Sequence, residues 1–369
     1  MPLQAAAQKD TGEAIREGLS KWYRLRAVTV EKTWVSYYPF LLSRGYRLRP
    51  RYNPDWIPSW TLPGNKLHAS RCEDSLHIWL KDNILDAVHM ADDVKVVLKL
   101  VPTNSAELRI VNLLSDESKR SDPRNRTIPI LDIFLYTDAP DYTFMVMPYM
   151  RRFNYPPFHC RGEFVDAMRQ FLEGLQFMHE NNIAHRDIAP KNMMMEESRV
   201  VPKGSHFTND KFHVGIGESF WWKERCSVGP VPYYYIDFGL SHHYPDGNAG
   251  ALTIGRLRGF DGIPELSDTE PYNPFKVDIY QFGMSIRNLV KTYPALGMFQ
   301  PLGEIMCSKC PDDRPTPDEA LQYFEEIVRG LSKSQLRARM WQRGDRLIHR
   351  ITRTFCGCYI AEPYEEIEY

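Results

Sequence analysis

Two short stretches carry the groups from which a reaction centre could be assembled. His185-Arg186-Asp187-Ile188-Ala189-Pro190-Lys191-Asn192 sets a carboxylate and an amide five residues apart, and Asp237-Phe238-Gly239 adds a second carboxylate 45 positions after Asn192. Carboxylate and amide oxygens are hard donors that suit magnesium. Together they are the polar groups needed to hold a hydroxyl and two magnesium ions around a nucleotide γ-phosphate. Either motif alone would be weak, because short motifs recur by chance; the pair in this order is far more specific. Lys99, closing the β-branched run Val96-Val97-Leu98, would add a cation, and Glu107 follows it after a linker of seven residues.

The elements that must position these groups can be read from periodicity. Ile84–His89 and Lys95–Val101 read as paired strands around the polar turn Met90–Asp93. A helix begins near Asn104 or Ser105 and carries Glu107 ahead of Ile110, Val111 and Leu114. Ile128–Tyr136 and Tyr142–Met147 read as two further strands, joined by Pro148-Tyr149-Met150 to a helical region. There Phe164, Met168, Phe171, Leu172, Leu175 and Met178 recur at helical spacing. Met193–Met195 and Tyr233–Ile236 are short strands flanking a long insert, and residues 276–292, 295–306 and 317–331 read as helices.

The ends are less regular. Residues 10–35 read as a polar helix followed by an extended piece. The run Gly45–Trp60 holds three prolines in nine residues, which favours extended backbone. We read it as a strap that packs its Trp and Tyr rings and leaves its arginine heads in water. Residues 336–353 read as one basic amphipathic helix packed through Leu336, Met340, Leu347 and Ile351.

Composition narrows the class. The chain of 369 residues is 43% apolar and 25% charged, as in soluble globular proteins. Lys plus Arg (46) nearly cancels Asp plus Glu (47), so no nucleic-acid partner is expected. No apolar run reaches the roughly 18 residues of a membrane span. The start, MPLQAAAQKD, lacks a secretory pattern, and seven cysteines are too few and too odd in number for a disulfide framework, which points to an intracellular location, cytoplasmic or nuclear. Cys307, Cys310, Cys356 and Cys358 are read as reduced thiols and not as zinc ligands.

Strands first and helices second, with these motifs in this order, resemble a eukaryotic protein kinase domain over roughly residues 76–331. The strap GYRLRPRYNPDWIPSW and the run YYYIDFGLS resemble, more narrowly, kinase-like proteins of mushroom-forming fungi. The resemblance implies an α+β, bilobal fold with a small β-rich N-lobe (61–150) and a larger helical C-lobe (151–335), between an N-terminal extension and a C-terminal helix and tail. It implies ATP and Mg2+ as cofactors and a protein substrate, and makes Asp187 the catalytic aspartate, with Asn192 and Asp237 on the metals. Arg186 and Lys191 flank the catalytic position; Lys99 and Glu107 would pair at the phosphates, with Glu117 as the alternative partner. Tyr149 and Met150 would meet the adenine. Glu265 with Arg314 resembles a structural ion pair, and Asp278 resembles the aspartate that braces the catalytic loop.

The chain also departs from the family pattern. Between Leu67 and Val101 there is no glycine, where the family has a glycine-rich loop over the phosphates. Ala189 replaces the lysine of serine/threonine kinases, and Lys191, four residues after Asp187, resembles the placement of the tyrosine-kinase arginine. Forty-four residues separate Asn192 from Asp237, an excursion expected to leave from a β-hairpin and to be anchored by Trp221 and Trp222. Three readings remain: a protein kinase acting on Ser/Thr hydroxyls, a weak or inactive pseudokinase scaffold, and a small-metabolite kinase.

Overall fold

The computed structural model describes residues 30–77, 82–217, 220–260 and 262–345. The chain divides into two compact units, Met1–Lys99 with Ser205–Glu218, and Leu100–Gly204 with Ser219–Tyr369.

In the first unit, helix α1 (Val30–Ser43) precedes strands β1 (Tyr46–Leu48), β2 (Ile84–His89) and β3 (Val94–Pro102), which runs on past Lys99. β2 pairs antiparallel with both β1 and β3, and the register sets Lys99 opposite Ile84. The turn between β2 and β3 falls on Met90–Asp93 as predicted, with Asp93 in the left-handed region at φ 58°.

Two expectations for this unit are corrected. The extended piece expected to follow the polar helix of residues 10–35 is helical, because α1 runs on to Ser43, and the part of that expectation before Val30 lies outside the described residues; Trp34 and Leu41, seven positions apart, share the buried face of α1. The strap does not leave all its arginines in water. Arg51 is buried and donates Nε and Nη2 to Glu31 at 2.6 and 2.9 Å. Arg49 pairs through Nε with Asp86 at 3.0 Å. Carboxylates of α1 and β2 thus reach the strap, and a charge that is paired tolerates burial. The rings pack as expected: Tyr52 is buried, and Trp56 donates its Nε1–H to Asp74. Part of the long insert also belongs here, through Lys95 to the Ser205 carbonyl at 2.5 Å and His206 to Glu73 at 3.0 Å.

The second unit is mainly helical. Helix α2 (Ala106–Ser115) is capped by Ser105, whose hydroxyl accepts from the Leu108 N–H. Strands β4 (Asp132–Leu135) and β5 (Tyr142–Pro148) form an antiparallel hairpin. β4 starts later than predicted, because Pro129 lacks an N–H and Ile128 instead donates to the Tyr235 carbonyl at 3.0 Å. A short strand β6 (Arg151–Arg152) leads to helix α3 (Arg161–Glu180), whose predicted apolar stripe is buried. Next come β7 (Ile183–Ala184), β8 (Met193–Met195), β9 (Tyr233–Tyr235) and β10 (His242–His243). β8 lies between β6 and β9, and β10 pairs with β7.

Helices α4 (Pro274–Thr292), α5 (Gln300–Met306) and α6 (Pro317–Arg329) complete the core. The helix expected over 295–306 is split into a 3₁₀ stretch and α5, with Pro301 in the first turn of α5, where a missing N–H costs nothing. Gly283 lets α4 and α5 approach: a Cβ there would lie 2.6 Å from Met306 Cβ. The expected basic helix at 336–353 is also corrected. A single helical turn ends at Arg337, Ala338 is extended, and Met340 donates its N–H to the His159 carbonyl at 2.8 Å while burying its side chain. Leu347 and Ile351 lie outside the described residues.

Candidate active site

The loop between β7 and β8 is gripped by α4. Asp278, fully buried, accepts from the His185 N–H at 2.8 Å on Oδ2 and from the Arg186 N–H at 2.6 Å on Oδ1. Its Oδ2 also meets His179 Nε2 at 3.0 Å. One turn along, Gln281 accepts from the Ile188 N–H at 2.9 Å and donates to the Arg186 carbonyl at 3.0 Å. Arg186 sits at φ 65°, a conformation that costs a non-glycine residue on the order of 1–3 kcal/mol. Both of its backbone polar groups are held by α4, which fixes the strained geometry. Sequence reasoning found Asp278 but missed Gln281; the signal was its i+3 spacing on the same helix face.

Within the loop, Asn192 donates its amide to both the Asp187 carbonyl at 2.9 Å and Asp187 Oδ2 at 2.8 Å. Lys191 Nζ lies 3.4 Å from the same Oδ2, with its side chain mostly exposed. Asp187 Oδ1 is buried and has no hydrogen-bond partner. A buried carboxylate oxygen left unsatisfied is costly unless something else meets it.

The second carboxylate is tied to the first loop by backbone. Ile236 donates its N–H to the Asn192 carbonyl at 3.0 Å. His185 accepts from the Asp187 N–H on Nδ1 at 3.2 Å, and its Nε2 lies 3.1 Å from the Ile236 carbonyl. That pattern requires the neutral, Nε2-protonated ring. Burial agrees with it by holding the imidazole below its ordinary value, against the pull of the Asp278, Asp187 and Asp237 carboxylates. Asp237 then adopts φ 64°, a second strained residue. A Cβ built on Gly239 would lie 3.4 Å from Asp237 Oδ1 and 3.6 Å from Glu107 Oε2, so these two carboxylates border one small space.

The remaining predicted residues are placed as follows. Glu107 is buried on α2. Lys99 is buried at the end of the first unit. Tyr149 and Met150 lie half-buried between β5 and β6. Arg186 is half-buried; its guanidinium, together with burial as the larger cause, holds the His242 imidazole below its usual value. Away from the loop, Arg314 is buried against Glu265, with Nη2 to Oε2 at 2.8 Å, and also donates to the Ser308 and Lys276 carbonyls.

The insert leaves from β8 and returns in β9, which pair antiparallel. Its anchor in this unit is Phe220, a residue that sequence reasoning passed over. Phe220 is buried, its centroid 6.1 Å from Tyr155 and 4.6 Å from the Arg151 guanidinium carbon. Trp221 and Trp222 follow it half-buried, and the Trp222 ring centroid lies 5.9 Å from that of Phe220.

Comparison with known proteins points to one family. Residues 83–300 match the model of the protein kinase domain. A probable casein kinase II subunit alpha homolog of Encephalitozoon cuniculi is 25% identical, the match covering 54% of this chain and 52% of that protein. The serine/threonine-protein kinase stk11 of Xenopus laevis is 23% identical over 68% of this chain and 53% of its own length. A third, the serine/threonine-protein kinase PTK2/STK2 of Saccharomyces cerevisiae, is 24% identical over 33% of this chain and 13% of that protein. The chain thus spans about half or less of the length of these curated relatives. The family match takes in more than half of the chain, with His185–Asn192 and Asp237–Gly239 inside it, and on that match the chain belongs to the protein kinase domain family.

Proposed function

We propose that this protein transfers the γ-phosphate of ATP to a hydroxyl of a protein substrate, in the presence of magnesium. The observation that carries the reading is Asp187: one carboxylate oxygen is oriented by Asn192 and Lys191, and the other is buried without a partner. Such an atom is suited to accept a hydroxyl hydrogen bond. In that role Asp187 orients the attacking oxygen and takes its proton as the new P–O bond forms and ADP departs.

The donor set also fits magnesium. Asn192 commits its N–H to Asp187, which leaves its amide oxygen as the atom for a cation, and Asp237 offers a carboxylate. Magnesium, when bound, supplies positive charge at the phosphates, where charge builds in the transition state. Lys191 is proposed to add a cation beside the acceptor. Lys99 for the phosphates, Glu107 for orienting that lysine, and Tyr149 and Met150 for adenine are carried forward on the family resemblance alone. So are a serine or threonine acceptor, suggested by the names of the relatives, and kinship with kinase-like proteins of mushroom-forming fungi. A reducing intracellular location agrees with the free cysteines among the described residues, Cys72, Cys160, Cys226, Cys307 and Cys310.

A second reading, a scaffold that binds without catalysis, is favoured by the glycine-free run from Leu67 to Val101. Thermal unfolding with and without Mg-ATP separates the two. At 100-fold excess over Kd, a true nucleotide site stabilises the fold by about 2.7 kcal/mol. We expect that shift in the native protein and its loss in Asp237→Asn. No shift at millimolar Mg-ATP in the native protein would leave the scaffold reading standing.

A further inference from the structure

We propose that His159, Cys160, Glu163 and Cys226 form a zinc site that pins the long insert to the start of helix α3. One ligand atom from each of the four lies within 4.8 Å of the others. His159 Nδ1 and Cys226 Sγ are 3.5 Å apart. With Zn–S of about 2.3 Å and Zn–N of about 2.0–2.1 Å, a tetrahedral ion sets its sulfur and nitrogen ligands about 3.5 Å apart. That edge of the coordination tetrahedron is therefore already formed.

The positions are fixed by more than the ligands themselves. Glu163 accepts from the His159 N–H at 2.7 Å and from the Cys226 N–H at 2.9 Å, so one carboxylate joins the two chain segments. Arg225, buried, lies 3.6 Å from the same carboxylate and donates to the Phe153 and Pro156 carbonyls at 2.8 and 2.7 Å. The extended segment after residue 337 closes the other side, through an antiparallel bridge between Cys160 and Arg339 and the Met340 N–H on the His159 carbonyl.

The chemistry selects the ion. Two thiolates and an imidazole are ligands that zinc takes in structural sites, whereas magnesium and calcium prefer oxygen alone. Charge also closes: two thiolates and one carboxylate against a divalent ion and Arg225 sum to zero. Cys160 and Glu163 are buried, while Cys226 is exposed and leaves a path for entry. Binding displaces the thiol protons into solvent, so affinity falls with falling pH. This site is independent of the nucleotide reading and shares no residue with it.

The test uses the full chain, purified under reducing, metal-free conditions and titrated with cobalt(II) and then zinc. We expect a single equivalent of cobalt with a near-ultraviolet thiolate charge-transfer band, its displacement by zinc, and a raised unfolding temperature with zinc. Cys226→Ser should lose the band and the temperature shift. Because Cys226 is exposed, that variant keeps the fold, which circular dichroism verifies. Cys310→Ser, an exposed thiol elsewhere, should leave both intact. Equal cobalt binding in native and Cys226→Ser proteins, no thiolate band in the native protein, or a Cys160–Cys226 disulfide that persists under reductant would each overturn the site.

Discussion

At the scale of single residues, the loop around Asp187 depends on a histidine that is not itself a reacting group. His185 bridges the Asp187 N–H and the Ile236 carbonyl only as the neutral ring, and protonation would put a second N–H against the Asp187 amide. Its folded value lies below the ordinary 6.5, so the unfolded chain binds the proton more readily. Stability from this group is therefore complete above pH of about 6.5 and is lost as pH falls below it, by up to about 1.4 kcal/mol per pH unit. The His242 imidazole is also held down and adds in the same direction. Urea denaturation between pH 7.5 and 5.5 should show the decline, and His185→Asn should flatten it. An equal slope in the variant would remove His185 from the account.

At the scale of elements, α4 acts as the brace of the loop, and its grip can be separated from the chemistry. Gln281→Leu leaves the Ile188 N–H and the Arg186 carbonyl without their partner, a cost of about 1–3 kcal/mol. Chemical denaturation should report that loss, and the catalytic rate should fall further than stability explains, because Arg186 is released from its strained conformation. Arg314→Met breaks a buried pair with Glu265 and should cost about 3–5 kcal/mol in the same measurement. A change within 0.5 kcal/mol for either variant would contradict the assigned role.

How much of this was legible in the sequence follows from how local each signal is. Strands β2 and β3, helices α2, α3 and α4, and Asp278 were readable because their patterns lie within one element. Gln281 was missed because its partners are backbone groups 93 and 95 positions away. The buried Arg51 was misread because its partner, Glu31, lies 20 positions away, and no spacing rule joins the two. The C-terminal helix failed at Ala338 because the pairing of Met340 with His159 is a long-range contact that helical periodicity cannot register. His159, Cys160, Glu163 and Cys226 were invisible for the same reason: 63 positions separate Glu163 from Cys226, and no spacing rule joins them.

At the scale of the whole molecule, the chain pairs a strand-bearing unit with a larger, mainly helical one, the α+β class of its family. The family's glycine-rich loop has no counterpart between Leu67 and Val101, yet the Asp187, Asn192 and Asp237 set is complete. Among the described residues, no helix is long and apolar enough to cross a membrane. The measurement that bears most directly on the central claim is transfer of labelled γ-phosphate from Mg-ATP to protein acceptors by the native chain and by Asp187→Asn. The account predicts incorporation that needs magnesium and falls by about 10²–10⁴-fold in the variant, while Mg-ATP still stabilises both proteins. Equal incorporation by the two proteins, or none by the native chain under conditions where it binds Mg-ATP, would contradict it.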